Sequence, residues 1–327
     1  MPPYPQIDVS RVRTCLAKDR ISKVTTSLEA GGINAGMSVK AFLDALPRIL
    51  KADALKAVAS AVVNAKNLHK PVIAMIGGHV IKTGCSPVLA GLAENGFITH
   101  VASNGSAAIH DTELARFGHT SEDVASQLED GSFGMAEDTA ALVNEAAMEA
   151  AASSEAPGEG FGEAVGRRLL RENAPYLHRA LTYQCFRLKI PYTLHVAIGT
   201  DIVHQHPSAS GAAIGEASLR DFRIFAHTVS RLGDGGVILN LGSAVIMPEV
   251  FLKALAVARN MGNNVTKFTT ANFDMMQHYR PTVNVVQRPV LPGGNGYAIT
   301  GHHEIMIPLL AAAIYETAAH DKNIRSD

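Results

Sequence analysis

The sequence of 327 residues contains no tryptophan, no marked excess of either charge and no long run of apolar residues. Its 29 Lys and Arg are matched by 30 Asp and Glu, so the formal net charge is −1. Such a chain has no global field to attract nucleic acid or an anionic membrane, and we expect neither as a partner. A membrane-spanning helix requires about 18 consecutive apolar residues, which no stretch approaches. The sequence therefore predicts a soluble protein.

Cysteine is also scarce. The three cysteines, Cys15, Cys85 and Cys185, are odd in number and lie far apart along the chain. That arrangement does not describe a disulfide framework, and it is typical of proteins in a reducing compartment. We therefore expect a cytoplasmic location.

Motifs that identify several large enzyme classes are absent as well. The first apolar run ends in Gly-Gly-His-Val-Ile-Lys-Thr-Gly over residues 77–84, which departs from the Gly-x-Gly-x-x-Gly fingerprint of standard dinucleotide-binding dehydrogenases. The chain contains no Gly-x-Ser-x-Gly elbow, no Walker lysine motif and no His-Glu-x-x-His sequence. We therefore expect neither a serine hydrolase of that type nor a P-loop enzyme.

What the chain does contain is a repeated pattern of buried strand, polar loop and helix. Pro71 precedes Val-Ile-Ala-Met-Ile-Gly-Gly, a continuous apolar run typical of a parallel strand buried on both faces. Ser86 and Pro87 provide an N-cap and a first-turn proline for the next helix, and Gly96 ends it before a second strand. Similar strands are predicted to begin at residues 192, 235, 264 and 282.

This alternation predicts an α/β fold with a doubly wound, mostly parallel sheet of about six or seven strands and helices on both faces. We expect one α/β domain over residues 1–327, with a helical N-terminal lead-in over residues 1–68. Residues 112–189 form a long insertion between the second and third strands. Their Ala- and Glu-rich sequence predicts that the insertion is helical.

Small and polar residues follow the predicted strands. In an open parallel sheet, ligands bind outside the carboxyl ends of the strands, where small residues let backbone amides approach an anion such as a pyrophosphate. Tight turns are the alternative explanation for any one of these loops. Taken together, the loops favour a bound nucleotide or dinucleotide, with NAD as the candidate cofactor. The candidate cofactor-binding residues are Gly78, Ser103, Asn104, Gly105, His110, Asp111, Thr200, Asp201, Gly242, Ser243, Thr270 and Ala271.

Histidine is abundant, with 14 residues, and several of them fall on the same loops. Imidazole titrates near neutrality, so a histidine beside the cofactor could transfer protons. A cluster of His and Asp could also bind a divalent metal, but the spacings match no compact metal motif, and we expect no metal. Lys82 could meet a phosphate or a carboxylate. The candidates for the acid/base role are His79, His206, Asp274 and His302.

The order of these motifs resembles that of the deoxyhypusine synthase superfamily, which includes homospermidine synthases. Gly199-Thr200-Asp201 is similar to the family's Gly/Ser-rich loop that ends in Asp, and Gly242-Ser243-Ala244 is similar to its glycine-rich strand end. Thr269-Thr270-Ala271 resembles its Asn-Thr-Ala loop. The resemblance spans residues 71–316. It implies a Rossmann-type NAD-binding fold, a transferase activity and a homo-oligomer, either a dimer or a homotetramer.

The sequence departs from that family where the family's chemistry takes place. Members of the family pass a butylamine fragment to an active-site lysine as an imine, within a Trp-Gly-Lys segment. The corresponding segment here contains Gln287, Arg288 and Pro289, and an arginine stays protonated and cannot form the imine. The resemblance therefore implies a divergent member that lacks the Schiff-base lysine.

Three functions remain open at this point. The first is an enzyme that uses NAD or another nucleotide and acts on a small amine or related metabolite without a lysine imine. The second is a metal-dependent hydrolase that uses the His/Asp cluster with water as the nucleophile. The third is a non-catalytic, ligand-binding oligomer, which the missing lysine would explain. All three take a small-molecule ligand.

Overall fold

The computed structural model describes residues 4–153 and 158–326. The chain divides into two compact units, one ending at Ala52 and the other beginning at Asp53. The first unit consists of extended chain, short 3-10 turns and one helix, α1, Val39–Ala45. The Ser38 hydroxyl accepts a hydrogen bond from the Ala41 amide at 3.1 Å, so this side chain caps α1.

The second unit alternates strands and helices. The strands are β1 (Val72–Ile76), β2 (His100–Asn104), β3 (Tyr192–His195), β4 (Val237–Leu241), β5 (Thr269–Asp274) and β6 (Asn295–Thr300). The helices after α1 are α2 (Leu50–Asn67), α3 (Gly78–Lys82), α4 (Ser86–Glu94), α5 (Gly105–Phe117), α6 (Val124–Asp130), α7 (Glu137–Ala152), α8 (Phe161–Arg171), α9 (Leu181–Leu188), α10 (Gly211–Val229), α11 (Ile246–Asn260), α12 (Tyr279–Pro281) and α13 (His303–Ser326). Within the described residues, none of these helices has the length and apolar character needed to cross a membrane.

All six strands are parallel and form a single sheet in the order β3-β2-β1-β4-β5-β6. The central strands β1 and β4 are buried along their whole length, because both faces of the sheet are covered. The predicted α/β class and the doubly wound parallel sheet are therefore confirmed. The order is that of a Rossmann fold, in which the chain winds outward from β1 to β3 and then from β4 to β6.

The winding reverses between β1 and β4, which pair from Val72 opposite Val237 to Ile76 opposite Leu241. Right-handed crossovers in the two halves place their helices on opposite faces of the sheet. The loops after β1 and β4 then leave in opposite directions, and open α/β sheets bind ligands in the crevice between them. We call this crevice the switch point.

A fully buried aspartate, Asp221 of α10, joins the helical insertion to the edge of the sheet. Its carboxylate accepts hydrogen bonds from the amides of Phe161 and Gly162, at 3.0 Å each, and of Leu194 at 2.7 Å. The first two amides begin α8 and have no partner within that helix, while the third belongs to β3. One side chain therefore holds the start of α8 against the edge strand.

The last part of the sheet differs from the sequence prediction. Residues 282–287, predicted as the sixth strand, form a π-helix after α12, and the sixth strand is β6. The valines of this segment favour a strand, but a strand there would begin only a few residues after β5. Two parallel neighbours require a crossover of about a dozen residues or more, which the helical segment supplies. The fifth strand also begins later than predicted, at Thr269 instead of Asn264.

Candidate functional site

The loops after β1, β2 and β3 enclose a cleft of about 240 Å³ at the carboxyl edge of the sheet. We call it the edge cleft. Its side chains come from α3, from the first turns of α5, from the loop after β3 and from the insertion, because the loops of neighbouring parallel strands open at the same edge. The lining residues are Lys82, Ser106, Ile109, His110, Glu113, Ser121, Glu122, Val124, Phe133, Thr200, Asp201 and Ile202.

Asp201 is a buried carboxylate in the wall of the edge cleft. Its Oδ2 atom has no hydrogen-bond partner among the residues that the structure describes. Burial raises the pKa of this carboxyl group to about 6. The Ser106 amide donates a hydrogen bond to the carboxylate, which lowers the pKa by less than burial raises it. A Cβ atom at Gly105 would lie 2.0 Å from Oδ2, so the carboxylate rests directly on the first turn of α5. A side chain of the protein thus takes the place where this helix start would otherwise bind a phosphate.

A short chain of hydrogen bonds orients His110 in the cleft. His110 Nδ1 lies 2.7 Å from Thr120 Oγ1, and that hydroxyl donates to Glu113 Oε2. Because the Thr120 proton goes to the carboxylate, His110 Nδ1 donates, and Nε2 remains as the atom that can accept a proton. Burial opposes ionisation of Glu113, but the hydrogen bonds from His110 and Thr120 hold the pKa of Glu113 below its usual value.

A second group of polar side chains, the switch-point cluster, surrounds His303 at the start of α13. The His303 side chain is buried, and within the described part of the chain its Nδ1 atom has no hydrogen-bond partner. The His79 ring packs edge-on against it, with 5.8 Å between ring centroids. Burial lowers the pKa of His303, whereas the charge of Asp274 acts in the opposite direction. The ring is therefore neutral at neutral pH and can accept a proton. The cluster consists of His79, Gly242, Asp274, His302 and His303.

Gly242, which follows β4, lies directly against the His303 ring. Its φ is +67°, and a Cβ atom there would lie 2.4 Å from His303 Nε2. Gly77, which follows β1, lies equally close to the loop after β4. A Cβ atom at Gly77 would lie 2.3 Å from the Gly242 carbonyl oxygen. A side chain at either position would clash, so glycine lets the two loops and the histidine pack together at the switch point.

The structure brings nine of the predicted site residues to these two places. A Cβ atom at Gly78 would lie 2.5 Å from Ser106 Oγ, which places this glycine behind the cleft wall. The charge of His302 lowers the pKa of His303, and the His302 side chain is exposed. The edge cleft has Gly78, Gly105, His110, Thr200 and Asp201 in or behind its wall, and the switch-point cluster contains His79, Gly242, Asp274 and His302.

Two predicted cofactor residues use their polar groups within the protein. Ser103 is buried in β2, where its hydroxyl is hydrogen-bonded to the Tyr192 hydroxyl at 2.8 Å. Asp111 is fully buried and accepts from the Leu181 amide at 2.8 Å and from Thr182 Oγ1 at 2.6 Å. Its carboxylate therefore caps α9, although burial raises its pKa. Both side chains thus have partners within the protein, and their assignment to the cofactor stays a prediction.

Ser243 and His206 are likewise engaged by neighbouring groups. Ser243 Oγ accepts a hydrogen bond from the Met247 amide at 3.2 Å, at the start of α11. His206 Nε2 lies 2.8 Å from the Gly134 carbonyl oxygen. His206 is neither in the lining of the edge cleft nor in the switch-point cluster, so it does not join the other predicted acid/base residues.

Thr270 and Ala271 lie in the first half of β5, away from the carboxyl edge, because the strand begins at Thr269. Thr270 Oγ1 donates to the Val285 carbonyl oxygen at 2.8 Å, and Ala271 is fully buried. The prediction that these two residues line a cofactor stays a prediction, and their position in the strand does not support it. The polar residue at the carboxyl end of β5 is Asp274.

Glu113 was missed from the sequence, whereas Ser106 and His303 were expected on strand-end loops near a ligand but were given no specific role. Glu113 follows His110 by three residues on α5, and such a helical spacing places two side chains next to each other, so this pair could have been found. Ser106 Oγ accepts a hydrogen bond from Asn104 Nδ2 at 3.0 Å in the cleft wall. The strand-end positions of Ser106 and His303 follow from the local pattern, but their neighbours depend on loops far apart in the sequence.

In the parts of the chain that the structure describes, no group of three or more His, Cys, Asp or Glu side chains is arranged to hold a metal ion. Of the histidines that the sequence suggested as ligands, His110 lines the edge cleft, three lie in the switch-point cluster, and His204 and His206 lie in neither place. The metal-dependent hydrolase is therefore not supported.

The carboxyl edge fits one part of a dinucleotide. Asp201 Oδ2, a buried acceptor without a partner, suits a ribose hydroxyl, the group that an acidic residue holds in Rossmann folds. The glycines after β1 do not form a pyrophosphate loop, because Gly77 and Gly78 pack against other parts of the protein. Lys82 in the cleft lining is the cation that could meet a phosphate instead. The residues thus fit the sugar of a nucleotide, and Lys82 is the side chain that could contact its phosphates.

No family model and no curated protein matches the sequence. Among solved structures, a conserved LOR/SDH protein from Methanococcus maripaludis S2 is 18% identical over 82% of this chain and 70% of its own, with a TM-score of 0.51. AgrE, in a ternary complex with ornithine and NAD+, is 13% identical over 82% of this chain and 33% of its own, with a TM-score of 0.51. A candidate deoxyhypusine synthase from Entamoeba histolytica is 9% identical over 88% of this chain and 96% of its own, with a TM-score of 0.46.

These likenesses concern the fold. The first two structures share the Rossmann-type α/β architecture at low identity, and the chain spans only 33% of the length of AgrE. The TM-score of 0.46 for the third structure is too low to carry an argument. The relationship to known proteins is therefore distant and lies at the level of the fold.

Proposed function

We propose that the chain is an NAD-dependent enzyme that acts on a small amine or related metabolite without a lysine imine. The edge cleft would hold the nucleotide sugar, and the switch-point cluster would hold the amine. The observation that carries the proposal is a pair of buried polar atoms without partners, Asp201 Oδ2 after β3 and His303 Nδ1 after β6. Such atoms are costly to bury unless a ligand or water satisfies them.

The charges around the switch point support a cationic substrate. Asp274 is buried at the carboxyl end of β5, and Glu304 follows His303 in the first turn of α13. A small ammonium group beside them would be attracted by both carboxylates. AgrE, of which this chain matches 33%, was solved in a complex with ornithine and NAD+, and that pair of ligands is consistent with the proposal.

The residues of the chain would divide binding from proton transfer. Asp201 Oδ2 would accept a hydrogen bond from a ribose hydroxyl and orient the nucleotide. The neutral His303 ring would take a proton from the substrate ammonium, and Asp274 would stabilise the resulting imidazolium. A nicotinamide ring, when bound, supplies a hydride acceptor for the carbon beside the amine. His79 and His302 lie close enough to His303 to affect its proton affinity.

The reaction would not pass through an imine with a lysine at the position that the family resemblance indicates. That position holds Arg288, whose guanidinium donates to Asn284 Oδ1 at 3.1 Å. Arginine stays protonated in proteins, so this side chain cannot act as an amine nucleophile.

Calorimetric titration with NAD tests the cofactor site. The wild-type protein should bind NAD, and Asp201→Asn should weaken binding by about tenfold, since a hydrogen bond to a charged group contributes roughly 1.5–3 kcal/mol. The matched control is Asp234→Asn, which changes an exposed aspartate outside both sites and should bind like the wild type. Absence of binding at millimolar NAD would refute the proposal.

A second variant separates cofactor binding from chemistry. His303→Gln should bind NAD like the wild type but should lose NADH formation in a screen of small amines, because only the proton acceptor is changed. If the variant and the wild type form NADH at equal rates, His303 has no role in proton transfer. The transferase activity, the homo-oligomer and the cytoplasmic location stay predictions, and light scattering tests the second of them.

A further inference from the structure

A separate pocket of about 330 Å³ lies between the start of α4, the end of α5 and the loop before α9. This volume is within the range of about 300–1,000 Å³ that is usual for small-ligand sites. The pocket shares no lining residue with the edge cleft or the switch-point cluster. Its lining consists of Ile81, Gly84, Ser86, Pro87, Leu114, Phe117, Gly118, Tyr176 and Arg179.

Ser86 places a buried hydroxyl in the pocket wall. Its side chain is only 4% exposed, and Oγ has no hydrogen-bond partner in residues 4–153 and 158–326. Ser86 is the first residue of α4, a helix of 9 residues whose N-terminal end favours negative charge. A buried hydroxyl that is left without a partner is unfavourable, so this atom points to a ligand that accepts its proton.

Arg179 contributes a positive charge to the same pocket. Its side chain is exposed, and it forms no ion pair with any of the side chains that the structure describes. Other arginines of the insertion, such as Arg167 and Arg168, are paired with glutamates. An unpaired guanidinium is suited to a carboxylate, which it can bind through two parallel hydrogen bonds.

The remaining walls are apolar and held in place. The Tyr176 ring lies over Gly118, where φ is +73° and a Cβ atom would be 2.9 Å from Tyr176 Cε2. The Tyr176 amide donates to the Ala115 carbonyl oxygen at 2.9 Å, which fixes this wall to α5. Phe117 and Leu114 complete a surface that suits a hydrocarbon body and is poorly suited to a small hydrated ion.

We propose that this pocket binds a small organic carboxylate with an apolar body. The carboxylate would bind Arg179 and accept the Ser86 hydroxyl proton, and the body would lie between the Tyr176 ring and the side chains of α5. The site is independent of the proposed NAD site, because it uses none of the same residues.

Benzoate is the probe, with benzamide as its uncharged analogue. Thermal unfolding and calorimetry of the full chain should show binding of benzoate and much weaker binding of benzamide. Arg179→Gln should weaken benzoate binding by about tenfold or more, since it removes a charge-assisted pair. The matched control is Arg231→Gln, which changes an exposed arginine outside the pocket and should bind benzoate like the wild type.

Ser86→Ala provides a second, distinguishing readout. It should weaken benzoate binding several-fold while leaving the melting temperature of the unliganded protein unchanged or higher, because it removes an unsatisfied buried group. Equal binding of benzoate and benzamide would overturn the proposal, and so would unchanged affinity in Arg179→Gln. Binding of inorganic phosphate without any binding of benzoate would also overturn it.

Discussion

Lowering the pH from 7 to 5 should remove the stability that two buried neutral histidines, His100 and His195, contribute to the fold. Both Nε2 atoms are hydrogen-bonded to Thr193 Oγ1, at 2.9 and 3.0 Å, and both rings pack edge-on against Phe225. Burial lowers the pKa of each histidine to about 3, and for His100 the charge of His195 lowers it further. Neither ring can take up a proton in the folded protein at mildly acidic pH.

The size of the effect follows from the difference between these pKa values and the ordinary value of 6.5. Between pH 3 and 6.5 the unfolded chain binds protons that the folded chain does not bind. The stability that the two neutral histidines contribute is therefore fully present above pH 6.5 and is lost as the pH falls. At about 1.36 kcal/mol per pH unit, each histidine removes about 2 kcal/mol at pH 5, and the pair removes about 4 kcal/mol. That is a large part of a typical folding free energy of about 5–15 kcal/mol.

Asp221 acts in the opposite direction and must be separated from the histidines. Burial raises its pKa to about 7, although the Leu194 amide and two other amides favour the charged form. A group whose pKa is raised on folding contributes stability at low pH that is lost as the pH rises. The difference between the wild type and a histidine variant cancels this contribution, since both proteins contain Asp221.

The assay is urea unfolding at pH 7 and pH 5, followed by far-UV circular dichroism because the chain has no tryptophan. His195→Gln keeps a side chain that can bond to Thr193 but does not titrate. Its loss of stability between the two pH values should be about 2 kcal/mol smaller than that of the wild type. His227→Gln, at an exposed position, is the control and should lose as much as the wild type. Equal losses in wild type and His195→Gln would refute the reasoning.

Three further predictions concern a glycine with left-handed backbone, a helix cap and the exposure of two cysteines. Gly242→Ala should destabilise the protein by about 1–2 kcal/mol, because alanine would have to adopt the left-handed backbone conformation of Gly242. The new Cβ atom would also displace the His303 ring, which adds a further cost. Gly262→Ala has a similar φ of +87° and no atom near its Cβ, so in urea unfolding it should show only the backbone cost. Asp111→Asn should cost about 2–3 kcal/mol in the same assay, because its carboxylate caps α9, and a change below 0.5 kcal/mol would contradict that role. Iodoacetamide should label the exposed Cys15 well before the buried Cys85, whose pKa burial raises, and mass spectrometry of the peptides would show the order.

Local patterns were sufficient for much of the fold. The apolar run of β1 between Pro71 and two glycines predicts a strand buried on both faces, and β1 is such a strand. The helix with Ser86 and Pro87 in its first turn was predicted from these residues, but the predicted N-cap was wrong, because Cys85 is the N-cap and the Ser86 side chain does not cap the helix. The segment from residue 282 shows the limit of this reasoning, because its valines favour a strand while the parallel sheet requires a helical crossover there.

The candidate site was predicted only in part, for a physical reason that two aspartates illustrate. Asp111 and Asp201 both follow strand-end glycines, and the sequence assigns both to the cofactor. Asp111 is buried beneath α9, which begins about 70 residues later in the chain, whereas Asp201 keeps one carboxylate oxygen without a partner in the cleft wall. Which of the two faces a ligand depends on the segment that packs over it, and a local pattern contains no information about that segment.

The sequence by itself determined the α/β class, the parallel sheet and the edge at which polar residues gather, since strand burial, helix caps and turn residues are properties of short segments. The tertiary structure alone decided the strand order and the division of the site into an edge cleft and a switch-point cluster. It also decided that His303 lies against Gly242, two positions that are far apart along the chain. Contacts of this kind arise when separate segments pack together to bury their apolar surfaces, and they leave no mark on either segment alone.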